Sequence, residues 1–261
     1  MLSPTERRAI ADELARAERD RKPVAPLVAR HPKLDVEDAY AIQLLQIEDK
    51  LAAGRLIRGH KVGLSSPAMQ RMMNVNEPDY GHLLDDMFVF ENARVDVSTL
   101  IQPRVEFEVA FILRDPLPAP GCTVADVLRN TAYVAPSIEI IDSRIEAWKI
   151  GLCDTIADNA SSARVVLGAH ARPIDGLDLR LIAAIATKNG EIVETGAAGA
   201  VLGNPAVAVA WLANKVHQFG VKLEAGHVIL PGSCTRAVDV KAGDVVTAEF
   251  SGLGSVTISF H

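Results

Sequence analysis

The sequence has few aromatic residues, no basic run and no long apolar segment. Phenylalanine, tryptophan and tyrosine make up 5% of its 261 residues, which disfavours a stacking platform for nucleic-acid bases. The 27 lysines and arginines are outnumbered by 33 aspartates and glutamates, so nucleic acid and anionic membranes are poor candidates as partners. The charged N-terminus lacks the apolar core of a signal peptide, and no apolar run reaches the ~18 residues of a membrane span. We therefore expect a cytoplasmic protein.

Several sequence fingerprints are also missing. The three cysteines stand far apart without a C-x-x-C pair, which disfavours a disulfide framework or a zinc knuckle. The motif G-x-S-x-G does not occur, so serine-hydrolase chemistry loses support. Neither G-x-G-x-x-G nor G-x-x-x-x-G-K-[ST] occurs, which removes the usual nucleotide-binding loops.

The first 56 residues have the pattern of helices. The letters SPTE at residues 3–6 form a capping box with proline at the first helical position, and apolar residues follow at helical spacing. A second helix is predicted between a cap at Asp35 and a stop at Gly54.

The pattern changes at about residue 58 to short β-branched runs broken by glycine, proline, aspartate and asparagine, which predict strands. The clearest hairpin signal is Asn189-Gly190, because a tight type I′ turn needs positive φ angles there. One helix is predicted from a cap at Asn204 to a stop near Gly220. We therefore expect an α+β fold, with a helical N-terminal appendage at residues 1–56 and a mostly β domain at residues 57–261.

The stretch QPRVEFEVAF places two glutamates on one side of an apolar strand. Because side chains alternate, Glu106 and Glu108 point the same way with Cα atoms about 6.5 to 7 Å apart. If that face is closed to water, two ionised carboxylates repel unless a cation or protons neutralise them. Glu139, in the strand-like run PSIEIIDSR, offers a third carboxylate, and such a set suits Mg²⁺ or Mn²⁺. The alternative is a half-exposed strand whose glutamates face water.

Other residues that could carry chemistry lie in four short segments. Lys61 stands among apolar residues in IRGHKVGLSSPAMQ and could hold a substrate anion or move a proton, although a surface position is the alternative. NEPDYGHLLDDM offers Asp79 and His82 in what reads as a turn. CDTIADNASSARVV, with its dense small polar groups, is either a turn or a pocket lining, and LPGSCTRAVDV supplies hydroxyls that could bond a substrate oxygen.

Taken together, these segments resemble a known family. HKVGLSSPAMQ, EPDYGHLLDDM, PRVEFEVAFIL, PSIEIIDSRI, ADNASS, VLGNP, ILPGSCTRAV and GLGSV occur in the order found in the 2-hydroxypenta-2,4-dienoate hydratases (2-keto-4-pentenoate hydratases) of the fumarylacetoacetate hydrolase superfamily. The resemblance covers nearly the whole chain, and the combination of motifs is specific although each alone is weak.

The resemblance implies a β-roll that carries Mg²⁺ or Mn²⁺ on Glu106, Glu108 and Glu139. It implies a hydro-lyase that adds water to a 2-hydroxydienoate to give 4-hydroxy-2-oxopentanoate, in meta-cleavage catabolism of aromatic or steroid rings. The catalytic residues of the family fall on Lys61, Asp79 and, in the pocket, Ser161. The expected substrate contacts are the following residues: Leu64, His82, Asp158, Asn159, Ser233 and Thr235.

The resemblance also implies a homo-oligomer and leaves alternatives open. A 2-oxo-3-hexenedioate (4-oxalocrotonate) decarboxylase shares the DSR and ADNASS motifs, and it needs a cation for the far carboxylate of its substrate, which Arg144 or Arg164 could supply. A hydratase of a seven-carbon dicarboxylate is a further alternative. A different class of function is a non-catalytic assembly partner, since a hydratase can associate with the decarboxylase or aldolase of its pathway.

Overall fold

The structure is a computed structural model, which describes residues 1–67, 70–71 and 75–261. The α-helices in the described part of the chain are, in chain order, α1 (Pro4–Asp20), α2 (Leu27–Arg30), α3 (Val36–Ala52), α4 (Val124–Asn130), α5 (Leu152–Ala157) and α6 (Pro205–His217). The strands are β1 (Ile57–Gly63), β2 (Asp79–Leu84), β3 (Phe88–Val89), β4 (Arg94–Val95), β5 (Arg104–Leu113), β6 (Thr131–Ile141), β7 (Ser162–Leu167), β8 (Ala183–Lys188), β9 (Glu191–Ala197), β10 (Val228–Leu230), β11 (Val238–Asp239), β12 (Val245–Phe250) and β13 (Gly254–Phe260).

The two long N-terminal helices begin at capping boxes. Ser3 accepts the Glu6 N–H, while the Glu6 carboxylate accepts the Ser3 N–H at 2.7 Å. Asp35 and Asp38 form the same reciprocal pair at the start of α3. Such pairs satisfy backbone donors that have no partner inside the helix. Both predicted helices are therefore confirmed.

The strands form two sheets. The larger one has the order β2-β1-β10-β5-β6-β7-β3, with β11 also paired to β5. Most neighbours are antiparallel, but β1 pairs with β10 and β3 with β7 in parallel, so the sheet is mixed. The smaller sheet has the order β4-β13-β12-β8-β9, and its strands β12 and β13 pack against β6. The predicted α+β class with a mostly β body is confirmed.

Local turn and cap signals in the body are also confirmed. The hairpin β8–β9 turns at Asn189 and Gly190, whose φ angles are 57° and 86°. The carboxamide of Asn204 accepts the Ala206 N–H and caps α6, with Pro205 at the first helical position. These signals succeed because each depends on a few adjacent residues.

The helical segment and the β body share one hydrophobic cluster. Leu14 and Tyr40 from the helices belong to the same buried cluster as Phe107 and Ile138 from the larger sheet. The division of the chain at residue 56 stays a prediction. In residues 1–67, 70–71 and 75–261, no helix is both long enough and apolar enough to cross a membrane.

Candidate active site

Three carboxylates converge on one face of the larger sheet. Strand pairing places Glu106 of β5 directly opposite Glu139 of β6, and Glu108 opposite Ser137. One oxygen from each glutamate lies within 4.8 Å of those of the other two. The expectation that β5 and β6 bring these three side chains together agrees with this geometry.

The buried glutamates each keep one oxygen without a hydrogen bond. Glu108 and Glu139 are 0% exposed. Glu108 Oε2 accepts the Gly232 N–H at 2.7 Å and Glu139 Oε1 accepts the Ser162 hydroxyl at 2.9 Å, while Glu108 Oε1 and Glu139 Oε2 have no hydrogen-bond partner among the described residues. Burial is the main cause that raises the pKa of both carboxyls, and the charge of Glu106 adds to it. A divalent cation fits this set, because hard cations take carboxylate oxygens and cancel the repulsion.

Lys61 of β1 extends into the same site. Its Nζ lies 3.4 Å from Glu139 Oε2 and donates a hydrogen bond to the Ala160 carbonyl at 3.0 Å. Burial alone would lower the pKa of this lysine, but the nearby carboxylates, Glu139 first, outweigh burial and raise it. The ammonium therefore keeps its proton within the site.

The sheet must curl strongly to bring Lys61 to Glu139. Strand β1 is three strand spacings from β6, which is roughly 14 Å in a flat sheet. The intervening β10 ends at Leu230, and the loop 231–235 continues along β5, where the Cys234 N–H donates to the Phe107 carbonyl at 2.9 Å. The loop thus supplies a hydrogen-bond donor to the β5 backbone between Glu106 and Glu108, without placing another full strand there.

Asp79 lies on the same face as Lys61, at the start of β2. It pairs with Gly63, and a Cβ at position 63 would lie 2.0 Å from Asp79 Oδ1, so this glycine makes room for the carboxylate. Burial raises the pKa of Asp79, and the charge of Lys61 opposes that rise. The interpretation of residues 79–82 as a turn is wrong, since all six residues of β2 are buried.

A short left-handed turn carries the carbonyl that binds Lys61. Asn159, Ala160 and Ser161 have φ angles of 52°, 50° and 55°. This conformation costs L-residues about 1–2 kcal/mol each, although asparagine tolerates it better than the others. The surrounding contacts must therefore hold the turn, and strain of this kind is common at functional sites.

A buried ion pair between Arg144 and Asp158 supports that turn. Arg144 Nε binds Asp158 Oδ1, and its other nitrogens donate to the carbonyls of Asp142, Asp158 and Ser162. Asp158 also accepts the hydroxyl of Ser161 at 3.1 Å. Burial raises the pKa of Asp158 to about 6, and Arg144 opposes that rise. Arg144 is thus buried and bound to Asp158 and to backbone carbonyls, so it does not offer a free cation beside the glutamates.

The other residues predicted to contact the substrate lie in different parts of the structure. The side chain of His82 lies on the face of β2 opposite Asp79, where its Nδ1 lies 3.0 Å from Gln43 Oε1. The Ser233 hydroxyl binds the backbone of Phe107, and the Thr235 hydroxyl donates to a neighbouring carbonyl. Leu64 directly follows β1 with a φ of 52°. Substrate contact by these residues, and by Asp158, Asn159 and Ser161, stays a prediction.

Two residues that hold the glutamates are not among those predicted. Ser162 donates to Glu139, and it lies in the polar segment that the sequence marked as a turn or a pocket. Gly232 donates to Glu108 with a φ of 118°, and a Cβ there would lie 1.7 Å from Ser65 Oγ. The signal for Gly232 was the Pro-Gly-Ser loop, but nothing local links that loop to a glutamate 124 positions away.

The fold and the site define a class of protein, namely one with a curled mixed sheet that carries a three-carboxylate centre for a divalent metal, with a buried lysine beside it. Residues 61–260 match the fumarylacetoacetate (FAA) hydrolase C-terminal family, and the chain belongs to that family. The resemblance given by the motifs is thereby confirmed.

Relatives of known activity match almost the full chain. The 2-oxo-hept-4-ene-1,7-dioate hydratase of Escherichia coli is 44% identical over 257 residues, with 96% of each chain covered. The 2-keto-4-pentenoate hydratase of Paraburkholderia xenovorans (strain LB400) is 41% identical, covering 100% of this chain and 97% of the relative. The structure of 4-oxalocrotonate decarboxylase from Pseudomonas putida G7, complexed with magnesium and adipate, is 38% identical with a TM-score of 0.97, covering 100% of this chain and 99% of the other.

Proposed function

We propose that the chain is a metal-dependent hydro-lyase that adds water to 2-hydroxypenta-2,4-dienoate (2-keto-4-pentenoate) and forms 4-hydroxy-2-oxopentanoate. The observation that carries this proposal is the cluster of Glu106, Glu108 and Glu139 with Lys61 Nζ 3.4 Å from Glu139. The full-length similarity to hydratases of related dienoates supports the same chemistry.

The three glutamates would hold Mg²⁺ or Mn²⁺, which both prefer oxygen ligands. When bound, such a cation supplies Lewis-acid polarisation of a 2-oxo acid. The magnesium in the related decarboxylase structure supports a divalent cation, and the choice between Mg²⁺ and Mn²⁺ is part of this proposal.

Lys61 and Asp79 would perform the proton transfers. The reaction requires the 2-hydroxyl of the dienol to lose its proton and C5 to gain one, which gives the 2-oxo-3-enoate. Water then adds across C3 and C4, with its hydroxyl on C4 and a proton on C3. Lys61 is held in its charged form by neighbouring carboxylates, and burial favours the protonated form of Asp79. A buried acid and a buried ammonium on one face of β1 and β2 can therefore each donate a proton, and each can accept one back after it has donated, with little competition from bulk water.

Decarboxylation of 4-oxalocrotonate is the alternative within the family, because the related decarboxylase shares the fold closely. A six-carbon diacid needs a cation for its far carboxylate. Arg144 is bound to Asp158 and to backbone carbonyls, which argues against this role for it and leaves Arg164 as the candidate. A seven-carbon diacid hydratase remains a second alternative because of the relative from E. coli.

A single set of assays tests these functions. The loss of dienol absorbance is followed for the five-carbon monoacid and for the six- and seven-carbon diacids, with Mg²⁺, with Mn²⁺ and with a chelator, while CO₂ is measured. We expect fastest turnover of the monoacid, dependence on the cation and no CO₂. Release of CO₂ from the six-carbon diacid would establish the decarboxylase instead, and no turnover of any substrate would favour the non-catalytic assembly partner.

We also propose a homo-oligomer that works beside the decarboxylase or aldolase of a meta-cleavage pathway for aromatic or steroid rings, in the cytoplasm. Mass photometry of the purified chain, alone and mixed with those enzymes, measures both kinds of association. A monomer at micromolar concentration would contradict the first part of this proposal.

A further inference from the structure

We propose that Asn159 is a positioning residue, which pins the left-handed turn to the edge of β2 and thereby holds the Ala160 carbonyl against the ammonium of Lys61. This inference rests on the proposed function for its kinetic measurement. It differs from the expectation that Asn159 contacts the substrate.

The carboxamide of Asn159 binds one residue of β2 at both of its backbone groups. Asn159 Oδ1 accepts the His82 N–H at 2.7 Å, and Asn159 Nδ2 donates to the His82 carbonyl at 3.0 Å. Because β2 is the last strand on its side of the sheet as far as the structure describes the chain, these bonds do not come from a neighbouring strand among the described residues. The carboxamide therefore does what a paired strand residue would do.

The backbone of the turn also presses on β2 at the position that pairs with Lys61. That position is Gly81, and a Cβ there would lie 2.4 Å from the Asn159 carbonyl oxygen. The glycine lets the turn approach the strand closely. The Ala160 carbonyl is then 3.0 Å from Lys61 Nζ.

The turn is held on two sides. On one side Arg144 binds the carbonyls of Asp158 and Ser162, and the Asp142 N–H donates to the Ser161 carbonyl at 2.8 Å. On the other side the Asn159 carboxamide holds the first residue of the turn against β2. Removal of the carboxamide leaves the Arg144 anchor in place, so the chain should still fold. What is lost is the fixed distance between the Ala160 carbonyl and Lys61.

A substrate contact and a positioning role predict different kinetics. Loss of a contact made equally in the ground and transition states raises KM, whereas a displaced Lys61 lowers kcat. A displacement of about 1 Å is enough to cost a large factor in rate.

Asn214 offers a matched control, because its carboxamide also bridges backbone groups, here in the segment before α4. Its Oδ1 accepts the N–H groups of Gly121 and Cys122, and its Nδ2 donates to the Cys122 carbonyl. The variants Asn159→Ala and Asn214→Ala should therefore lose comparable amounts of thermal stability. Only the first should lose activity.

The test measures kcat, KM and Mn²⁺ affinity in the full-length chain, together with a crystal structure of each variant. We expect Asn159→Ala to lower kcat at least about tenfold, with KM and the Mn²⁺ Kd within about threefold, while Asn214→Ala keeps kcat within about twofold. Asn159→Ser, whose neutral hydroxyl is too short to bridge both backbone groups of His82, should lose nearly as much kcat as Asn159→Ala. It also provides a folded variant if the alanine variant does not fold.

Three results would overturn the inference. They are a rise in KM with unchanged kcat, an equal loss of kcat in Asn214→Ala, and an Ala160 carbonyl that keeps its distance from Lys61 in the crystal structures of both Asn159 variants. If the wild-type chain hydrates none of the dienoates, the proposed function fails separately. The crystal structures then decide alone, since a displaced carbonyl supports the positioning role and an unmoved one refutes it.

Discussion

The two faces of the β1–β2 hairpin bury titratable side chains in opposite ways. One face carries Lys61 and Asp79. The other face carries His60 and His82, which pair directly across the two strands. Lys61 stays charged because carboxylates surround it. Burial instead lowers the pKa of His82 to about 4 and that of His60 well below its usual value, so both histidines are neutral.

The difference shows how one strand pair can separate chemistry from packing. Ionised groups gather where opposite charges and a cation can compensate for lost hydration, and neutral rings pack where nothing compensates. The histidine rings lie 4.8 Å apart between centroids, and Gln43 ties the His82 ring to the backbone of Tyr80. The charged face is expected to depend on a cation, and the histidine face only on pH.

The largest effect should come from breaking the carboxylate cluster. Glu108→Gln removes one of the three carboxylates that we propose as cation ligands, at a fully buried position. Cation affinity should therefore fall and kcat/KM should drop roughly a thousandfold or more, which is about 4 kcal/mol. Steady-state hydration kinetics and Mn²⁺ titration measure the two losses.

Glu249→Gln is the control for that change, because Glu249 is an exposed glutamate on β12 of the smaller sheet. Its activity and Mn²⁺ affinity should match the wild type. Full activity in Glu108→Gln would contradict the assignment of the three glutamates as cation ligands.

A smaller effect should appear when the cation is added to the metal-free protein. At a concentration of 100 Kd, a ligand that binds only the folded state stabilises it by about 2.7 kcal/mol. Urea unfolding at pH 7.5 with and without Mn²⁺ should show this gain in the wild type and little of it in Glu108→Gln. Choline chloride at equal ionic strength separates binding from screening, and an equal gain with that salt would contradict a specific site.

The sequence predicted what depends on neighbouring residues. The SPTE box, the Asn189-Gly190 turn and the Asn204 cap each use local contacts, and all three are confirmed. Alternation along a strand placed Glu106 and Glu108 on one face.

The sequence could not give what depends on distant pairing. Nothing local indicates that Gly232 donates to Glu108, or that the Asn159 carboxamide binds the backbone of His82. The opposite orientations of Asp79 and His82 follow from alternation alone, but the glycine and proline nearby suggested a turn, and tertiary burial made the segment a strand.

On the histidine face, the expected effect is a loss of stability in acid. Because the pKa of a buried neutral histidine is lower in the folded than in the unfolded chain, the unfolded chain binds the proton first, and stability is present above about pH 6.5 and lost below it. His60→Leu should remove the share of this dependence that His60 contributes and leave the share of His82, since neither nitrogen of His60 has a partner among the described residues. By pH 5 the wild type should have lost about 2 kcal/mol more than the variant.

Urea unfolding of both proteins at several pH values from 7.5 to 5 measures that difference. His170→Leu, at an exposed histidine, is the matched control and should keep the wild-type slope. A His60→Leu slope as steep as that of the wild type would contradict a neutral buried ring at this position.

The smallest effect should come from the third ring of the histidine face. The ring centroid of His227 lies 5.7 Å from that of His60, and His227 is partly exposed. Its partial burial lowers its pKa, the charge of Glu224 opposes this shift and the charge of Arg58 adds to it. Solvent screens these charges, and His227→Leu should therefore recover less than about 1 kcal/mol of the acid loss in the same unfolding series. A recovery equal to that of His60→Leu would show that the extent of burial does not determine how much each of the three histidines contributes to the loss of stability in acid. Coupling among the rings would then determine it.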